Sequence, residues 1–111
     1  MSIADWSRAE ELDGFLAGKG TGLVFKHSTR CPISAEAEKE LRRFVRDHPE
    51  VAAYRVLVIE SRPVSDAIAL KLDVPHASPQ AILVREGAPV WTGSHWEITA
   101  AALAAAWRSR F

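Results

Sequence analysis

The stretch HSTRCPIS, residues 27–34, contains the single cysteine of this 111-residue chain, and a proline follows that cysteine directly. Residues 22–26 just before it are mostly apolar, which predicts a buried strand, and the residues from Ala35 onward predict a long amphipathic helix. Cys31 is therefore expected on a turn between a strand and a helix.

The segments around this turn predict alternating helices and strands. Before it, Ala9, Leu12, Phe15 and Leu16 recur at helical spacing, and the glycines of residues 18–22 end that helix. After it, the apolar stripe Ala37, Leu41, Phe44 and Val45 predicts a helix that stops at His48 and Pro49, and residues 54–59 predict a strand. A short helix capped by Ser65, with Ile68 and Leu72 as partners, is expected next, followed by strands at 81–84 and 89–92 that form a hairpin. The stripe Leu103, Trp107 and Phe111 predicts a last helix. The order α-β-α-β-α-β-β-α predicts an α/β fold with a mixed four-stranded sheet and helices on both faces.

Length and composition fit a single domain spanning residues 1–111, because a chain with 48% hydrophobic residues can bury one core. The 14 basic and 14 acidic residues balance, so neither nucleic acid nor an anionic membrane is expected as a partner. The N-terminus lacks a signal-peptide pattern, and no apolar run approaches the roughly 20 residues that span a bilayer. Since an unpaired thiol is safest in a reducing compartment, we expect a cytoplasmic protein.

The turn itself predicts a reactive thiol. Proline is favoured at the first position of a helix, so Pro32 indicates that Cys31 is the N-cap residue. Its sulfur would then face the free N–H groups of Ile33 and Ser34 and the positive end of the helix, which favour the thiolate. Basic residues close in sequence add positive charge. The residues predicted to stabilise the thiolate are Pro32, Ile33, Ser34, Arg30 and Lys26.

Position 34 limits the redox chemistry. A dithiol enzyme carries a second cysteine three residues after the first, and that thiol resolves the mixed disulfide from within. Here the motif is Cys31-Pro32-Ile33-Ser34. A serine hydroxyl can donate a hydrogen bond to the thiolate, or can simply satisfy backbone donors at the helix start, but it cannot attack a disulfide. The chain is therefore expected to depend on an external thiol.

Two other cysteine chemistries fit the sequence poorly. A phosphatase or rhodanese anion loop needs backbone N–H groups and an arginine after the nucleophile, whereas Cys31 is followed by a proline without an N–H and soon by Glu36. A metal site is not expected either, because the four histidines are scattered without ligand spacing.

The order of elements, with a cysteine starting the helix after the first predicted strand and a proline before the third, resembles the thioredoxin fold. Residues 25–34 (FKHSTRCPIS) further resemble the active-site stretch of monothiol bacilliredoxin-like (YtxJ-type) proteins. The resemblance implies that Pro79 is a cis proline facing Cys31. It also implies that Ser78 offers its backbone to substrate and that Gly93, on a loop before the final helix, lines the substrate groove.

The resemblance also implies a function. Cys31 would attack mixed disulfides between proteins and bacillithiol, and free bacillithiol, a co-substrate rather than a tightly bound cofactor, would regenerate it. The partners would be S-bacillithiolated proteins and bacillithiol, with Arg30 as a candidate contact for the bacillithiol carboxylates, and we expect a monomer. Two alternatives remain open. One is an iron–sulfur carrier like the Cys-x-x-Ser glutaredoxins, against which Pro32 and Ile33 count, and the other is a redox-inert interaction module.

Overall fold

A computed structural model describes residues 3–110 of the chain. Its elements, in chain order, are β1 (Ile3–Asp5), α1 (Ala9–Ala17), β2 (Gly22–His27), α2 (Pro32–Asp47), β3 (Ala53–Leu57), α3 (Arg62–Leu72), β4 (Gln80–Arg85), β5 (Ala88–Ser94), a 3₁₀ turn (His95–Glu97) and α4 (Ala100–Arg110). No helix within residues 3–110 is long and apolar enough to cross a membrane.

The strands form one mixed sheet in the order β1-β3-β2-β4-β5. β1 and β2 both run parallel to β3, whereas β4 is antiparallel to β2 and to β5. The carboxyl ends of β2 and β3 therefore lie at the same edge of the sheet as the start of β4. We call this the carboxyl edge. The turn that carries Cys31 leaves β2 there, so the topology places the cysteine beside the loops that enter α3 and β4.

Alternate residues of the central strand β2 enter two different cores, because successive side chains of a strand point to opposite faces. Leu23 and Phe25 pack with α2 and α4, and Val24 packs with α1 and α3. Lys26 follows Val24 in this alternation and lies on the α1 and α3 face, where it is fully buried. A charged residue thus lies one position before the end of an otherwise largely apolar central strand.

The predicted α/β class and the predicted first helix are confirmed, but the sheet has five strands rather than four, because an additional strand precedes that helix. The additional strand, β1, has only three residues and pairs with the edge of β3 through Ile3–Ala53, Ala4–Tyr54 and Asp5–Arg55. Three residues are too few to show a period of two in the sequence. The strand forms because distant residues hold it: Arg55 Nε donates to Asp5 Oδ1 at 2.6 Å and Arg55 Nη1 donates to Glu38 Oε1 at 2.8 Å.

Two further predictions need correction. Ser65 does not cap α3, because the helix starts at Arg62 after Ser61, and Pro63 in the first turn fits that earlier start. Ser65 is instead buried inside the helix. The strand predicted over residues 54–59 spans Ala53–Leu57, and Ile59 is 47% exposed on the turn into α3. Leu103 and Trp107 do pack against the core as predicted, and Phe111 lies outside the described residues.

Candidate active site

Cys31 lies at the N-cap of α2, as Pro32 predicts. Its backbone is extended, with φ −117° and ψ 117°, and Pro32 is the first helical residue. The N–H of Cys31 donates to the carbonyl of Ser28 at 3.3 Å, which closes the turn after β2. The thiol is half-buried and unpaired. It is therefore held by a short turn between a central strand and a long helix, and remains within reach of another sulfur.

The start of α2 lowers the pKa of the Cys31 thiol. The largest cause is the backbone N–H of Ser34, and the N–H of Ile33 and the hydroxyl of Ser34 act in the same direction, while burial opposes them. In the described part of the chain, the sulfur of Cys31 makes no capping hydrogen bond to α2, so the effect comes from N–H and O–H dipoles that face it. These donors stabilise the thiolate, which is the form that attacks disulfides.

Ser34 supports both the shape of the cysteine turn and the ionisation of Cys31. Its side chain is fully buried, and its Oγ accepts a hydrogen bond from the N–H of Ser28 at 3.2 Å. A hydroxyl that accepts one hydrogen bond still has its own proton to donate. Both roles weighed for this serine therefore apply: it satisfies a backbone donor of the turn, and its hydroxyl favours the thiolate of Cys31.

Lys26 and Arg30 contact groups other than the sulfur. Lys26 Nζ lies 2.9 Å from His76 Nδ1 on the α3 side of the sheet. Arg30 is exposed, and its backbone N–H donates to Ser28 Oγ at 3.4 Å. Among the described residues, the groups that lower the pKa of Cys31 belong to Ser34 and Ile33. The sequence distance of Lys26 from Cys31 is short, but the alternation of the strand turns its side chain to the other face.

The three predicted substrate-binding residues lie at the carboxyl edge. The Ser78–Pro79 peptide bond is cis, as predicted. Because Lys26 pairs with Gln80, Pro79 lies at the level of the end of β2. Gly93 lies in β5 opposite Ala81, not on a loop as predicted. A Cβ there would come within 2.6 Å of the Trp91 ring, so this close contact requires glycine.

Two contacts that support the site were not predicted from the sequence. Thr29 Oγ1 donates to Glu60 Oε2 at 3.0 Å and ties the cysteine turn to the loop before α3. Glu38 lies 3.6 Å from His27 Nδ1 and also binds Arg55, so it links the end of β2 to α2 and β3. Burial lowers the pKa of His27 and the Glu38 carboxylate opposes that shift. Thr29 and Glu60 are exposed and far apart in sequence, and no local pattern connects them.

Within residues 3–110, no group of three His, Cys, Asp or Glu side chains is arranged as a metal site requires.

Comparison with known proteins places this site in a family. Residues 5–103 match the family model described as monothiol bacilliredoxin BrxC. A solved structure described as an oxidoreductase with a thioredoxin fold has 33% sequence identity and a TM-score of 0.86, covering 94% of this chain and 92% of its own. The thioredoxin from Trypanosoma brucei brucei has 16% identity and a TM-score of 0.79, covering 98% of this chain and 90% of its own.

Mitochondrial thioredoxin 3 from Saccharomyces cerevisiae gives 18% identity and a TM-score of 0.75, with 96% and 94% coverage of the two chains. These thioredoxins show that the fold is thioredoxin-like, and the family match adds the chemistry. A half-buried thiol with a lowered pKa and a serine in place of a second cysteine is what a monothiol enzyme of this fold requires. The chain belongs to the monothiol bacilliredoxin family and is a thiol-disulfide oxidoreductase.

Proposed function

We propose that the protein removes bacillithiol from S-bacillithiolated proteins. The observation that carries the proposal is the lowered pKa of a half-buried Cys31 whose neighbour at position 34 is a serine. The first feature supplies a thiolate that can attack a disulfide, and the second leaves the mixed disulfide without an internal attacker. The family to which the chain belongs points to bacillithiol as the thiol concerned.

In the first step, the Cys31 thiolate attacks the bacillithiol sulfur of the protein–bacillithiol disulfide. The new bond joins Cys31 to bacillithiol, the original sulfur–sulfur bond breaks, and the substrate protein leaves as a thiolate that takes a proton from water. In the second step, the thiolate of a free bacillithiol attacks the bacillithiol sulfur bound to Cys31. Bacillithiol disulfide forms and the Cys31 thiolate is released, so sulfur and electrons balance over the cycle.

The other predicted residues receive roles in this reaction. Ile33 and Ser34 stabilise the Cys31 thiolate both as nucleophile and as leaving group. Ser78, Pro79 and Gly93 form the surface along which the substrate chain lies, and Ser78 offers its backbone to it. S-bacillithiolated proteins and bacillithiol are the proposed partners.

The test is an intact-mass measurement. Reduced protein incubated with an S-bacillithiolated substrate should gain one bacillithiol on Cys31 and release the substrate thiol. The adduct should persist until free bacillithiol is added, because the cycle needs a second thiolate. Ser34→Cys should shorten the life of the adduct by supplying an internal attacker, and Cys31→Ser is the control that should gain no mass.

Two outcomes would contradict the proposal at different levels. If glutathionylated, coenzyme A-linked and bacillithiolated forms of the same substrate react at equal rates, the preference for bacillithiol is wrong. If none of the three forms an adduct with the wild-type protein, the exchange reaction itself is wrong.

A further inference from the structure

A second polar site lies on the α3 side of the sheet, beside the turn that follows β2. A cavity of about 280 Å³ opens there, lined by Val58, Ile59, Arg62, Ser65, Asp66 and His76. Lys26, which is fully buried, contacts it from behind through His76. None of the steps described above uses Arg62, Ser65 or His76.

The cavity borders the turn that carries the cysteine. The N–H of Val58 donates to the carbonyl of His27 at 2.9 Å, so the wall of the cavity continues the end of β2. The Thr29–Glu60 hydrogen bond joins the next residues of the turn to the loop beside Ile59. His76 comes two residues before Ser78, on the loop that enters β4. A molecule bound to Cys31 through its sulfur could therefore extend into this cavity.

Lys26 fixes the donor that His76 presents. Burial lowers the pKa of Lys26 to about 8, so the side chain is mainly an ammonium at neutral pH. An ammonium has only hydrogens to give, so His76 Nδ1 must accept the 2.9 Å hydrogen bond. The neutral imidazole then carries its proton on Nε2, which makes it a donor. Lys26 thus adds positive charge behind the ring and sets its tautomer.

Ser65 is a donor without a partner. Its side chain is 1% exposed and lines the cavity, yet within residues 3–110 its Oγ makes no hydrogen bond. Buried hydroxyls almost always have partners, because an unpaired one is costly. A ligand in the cavity would supply the missing acceptor.

Arg62 completes the set of donors. Its side chain is 79% exposed and forms a long ion pair with Asp66, with 3.9 Å between Nε and Oδ2. Asp66 is the acid of the lining and repels an anion, but the charges of Arg62 and Lys26 together exceed it. Three kinds of donor, guanidinium, hydroxyl and imidazole N–H, suit a carboxylate, which accepts through two oxygens.

We propose that this cavity binds a carboxylate of the low-molecular-weight thiol that Cys31 exchanges, through Arg62, Ser65 and His76. The inference rests on the proposed function and names its specificity site: in bacillithiol, the group would be the malate. It differs from the contact expected from Arg30, which lies on the exposed cysteine turn rather than at this cavity.

The first test compares two substrates. The protein is given one peptide disulfide-linked to bacillithiol and the same peptide linked to 2-mercaptoethanol, which has no carboxylate. The ratio of the two exchange rates should fall by about tenfold in Arg62→Ala, the usual effect of losing a hydrogen bond to a charged group. Arg46→Ala, an exposed arginine near the far end of α2, is the matched control and should keep the wild-type ratio.

The second test needs no exchange. In the Cys31→Ser protein, titration with L-malate should shift the NMR signals of the His76 ring, dimethyl malate should not, and Arg62→Ala should remove the response. An unchanged rate ratio in Arg62→Ala, or a His76 signal that ignores malate, would overturn the carboxylate site and leave the exchange reaction standing. Absence of any reaction in the wild-type protein would contradict the proposed function instead, and the malate titration would still test whether the cavity binds a carboxylate.

Discussion

The helices α2 and α3 each follow a parallel strand, and each has a proline in its first turn and a buried serine near its start. The two serines differ in their partners. Ser34 accepts a hydrogen bond from Ser28 and its hydroxyl lowers the pKa of Cys31, whereas Ser65 has no partner among the described residues and lines a cavity. The buried serine at the start of α2 therefore has hydrogen-bond partners within the protein, whereas the one at the start of α3 has none among the described residues.

The difference distinguishes Ser34, which stabilises the protein's own structure, from Ser65, which is available to a ligand. At the start of α2, the polar groups form hydrogen bonds with one another and stabilise the thiolate of Cys31. At the start of α3, the unpaired hydroxyl of Ser65 lines an open space, and the buried ammonium of Lys26 on β2 approaches the same space through His76, although both groups cost free energy in the unliganded protein. We infer that the first helix start carries the reaction and the second one selects its thiol.

The largest expected effect is on the free energy of unfolding, because burying the charged side chain of Lys26 is costly. Its pKa falls from 10.5 to about 8 on folding, so between these values the unfolded chain holds the proton and the folded chain does not. Stability must therefore rise with pH across this window, by about 3 kcal/mol in full. Below pH 8 both states are protonated and the whole cost of the buried ammonium is present.

Lys26→Met removes this group and should remove the corresponding rise. The measurement is the free energy of urea unfolding at intervals from pH 7.5 to 10.5, taken as wild type minus variant so that Cys31 and other titrating groups cancel. Equal pH dependence in both proteins would show that Lys26 is not a costly buried charge, and the contrast between the two helix starts would lose its strongest element.

The next largest effect is expected at the start of α2, where the polar groups have partners. Ser34→Ala leaves the N–H of Ser28 without its acceptor and takes away one of the groups that favour the thiolate. We expect a loss of about 1 kcal/mol in unfolding free energy. The pKa of Cys31 should rise, seen as a shift to higher pH in the inflection of its iodoacetamide alkylation rate. Ser109→Ala, at the exposed end of α4, is the control, and an unmoved inflection would show that the hydroxyl of Ser34 plays no part in activating the thiol.

The sequence predicts the first helix start far better than the second. The apolar stripe of α2 and the position of Pro32 fix the helix and put Cys31 at its N-cap, because both signals are local. The sequence around α3 has local signals as well, but they predict Ser65 as the cap, whereas the helix starts after Ser61. A serine near a helix start satisfies the same rule in either place, and only burial distinguishes them.

The remaining features depend on contacts between distant residues. β1 is held by the contact of Asp5 with Arg55, fifty residues away, and the cavity is lined by His76, which meets Lys26 at the same separation. Neither pair produces a period or a motif. One signal was available: a lysine that ends the apolar strand at residues 22–26 must have a polar partner if the strand is central, although its identity is not given by sequence.

The smallest effect on stability, and the one that separates the two serines most directly, is expected for Ser65→Ala. Because the hydroxyl makes no hydrogen bond in the unliganded protein and its burial is costly, its removal should raise the unfolding free energy, by about 0.5 kcal/mol, in contrast to the loss in Ser34→Ala. The same variant should lower the ratio of bacillithiol to 2-mercaptoethanol exchange rates, since a carboxylate would lose one donor. Urea unfolding and the paired rate measurement, made on one preparation, test both statements. A loss of stability as large as that of Ser34→Ala would mean that Ser65 has a structural partner in the free protein, and an unchanged rate ratio would mean that its hydroxyl does not meet the ligand.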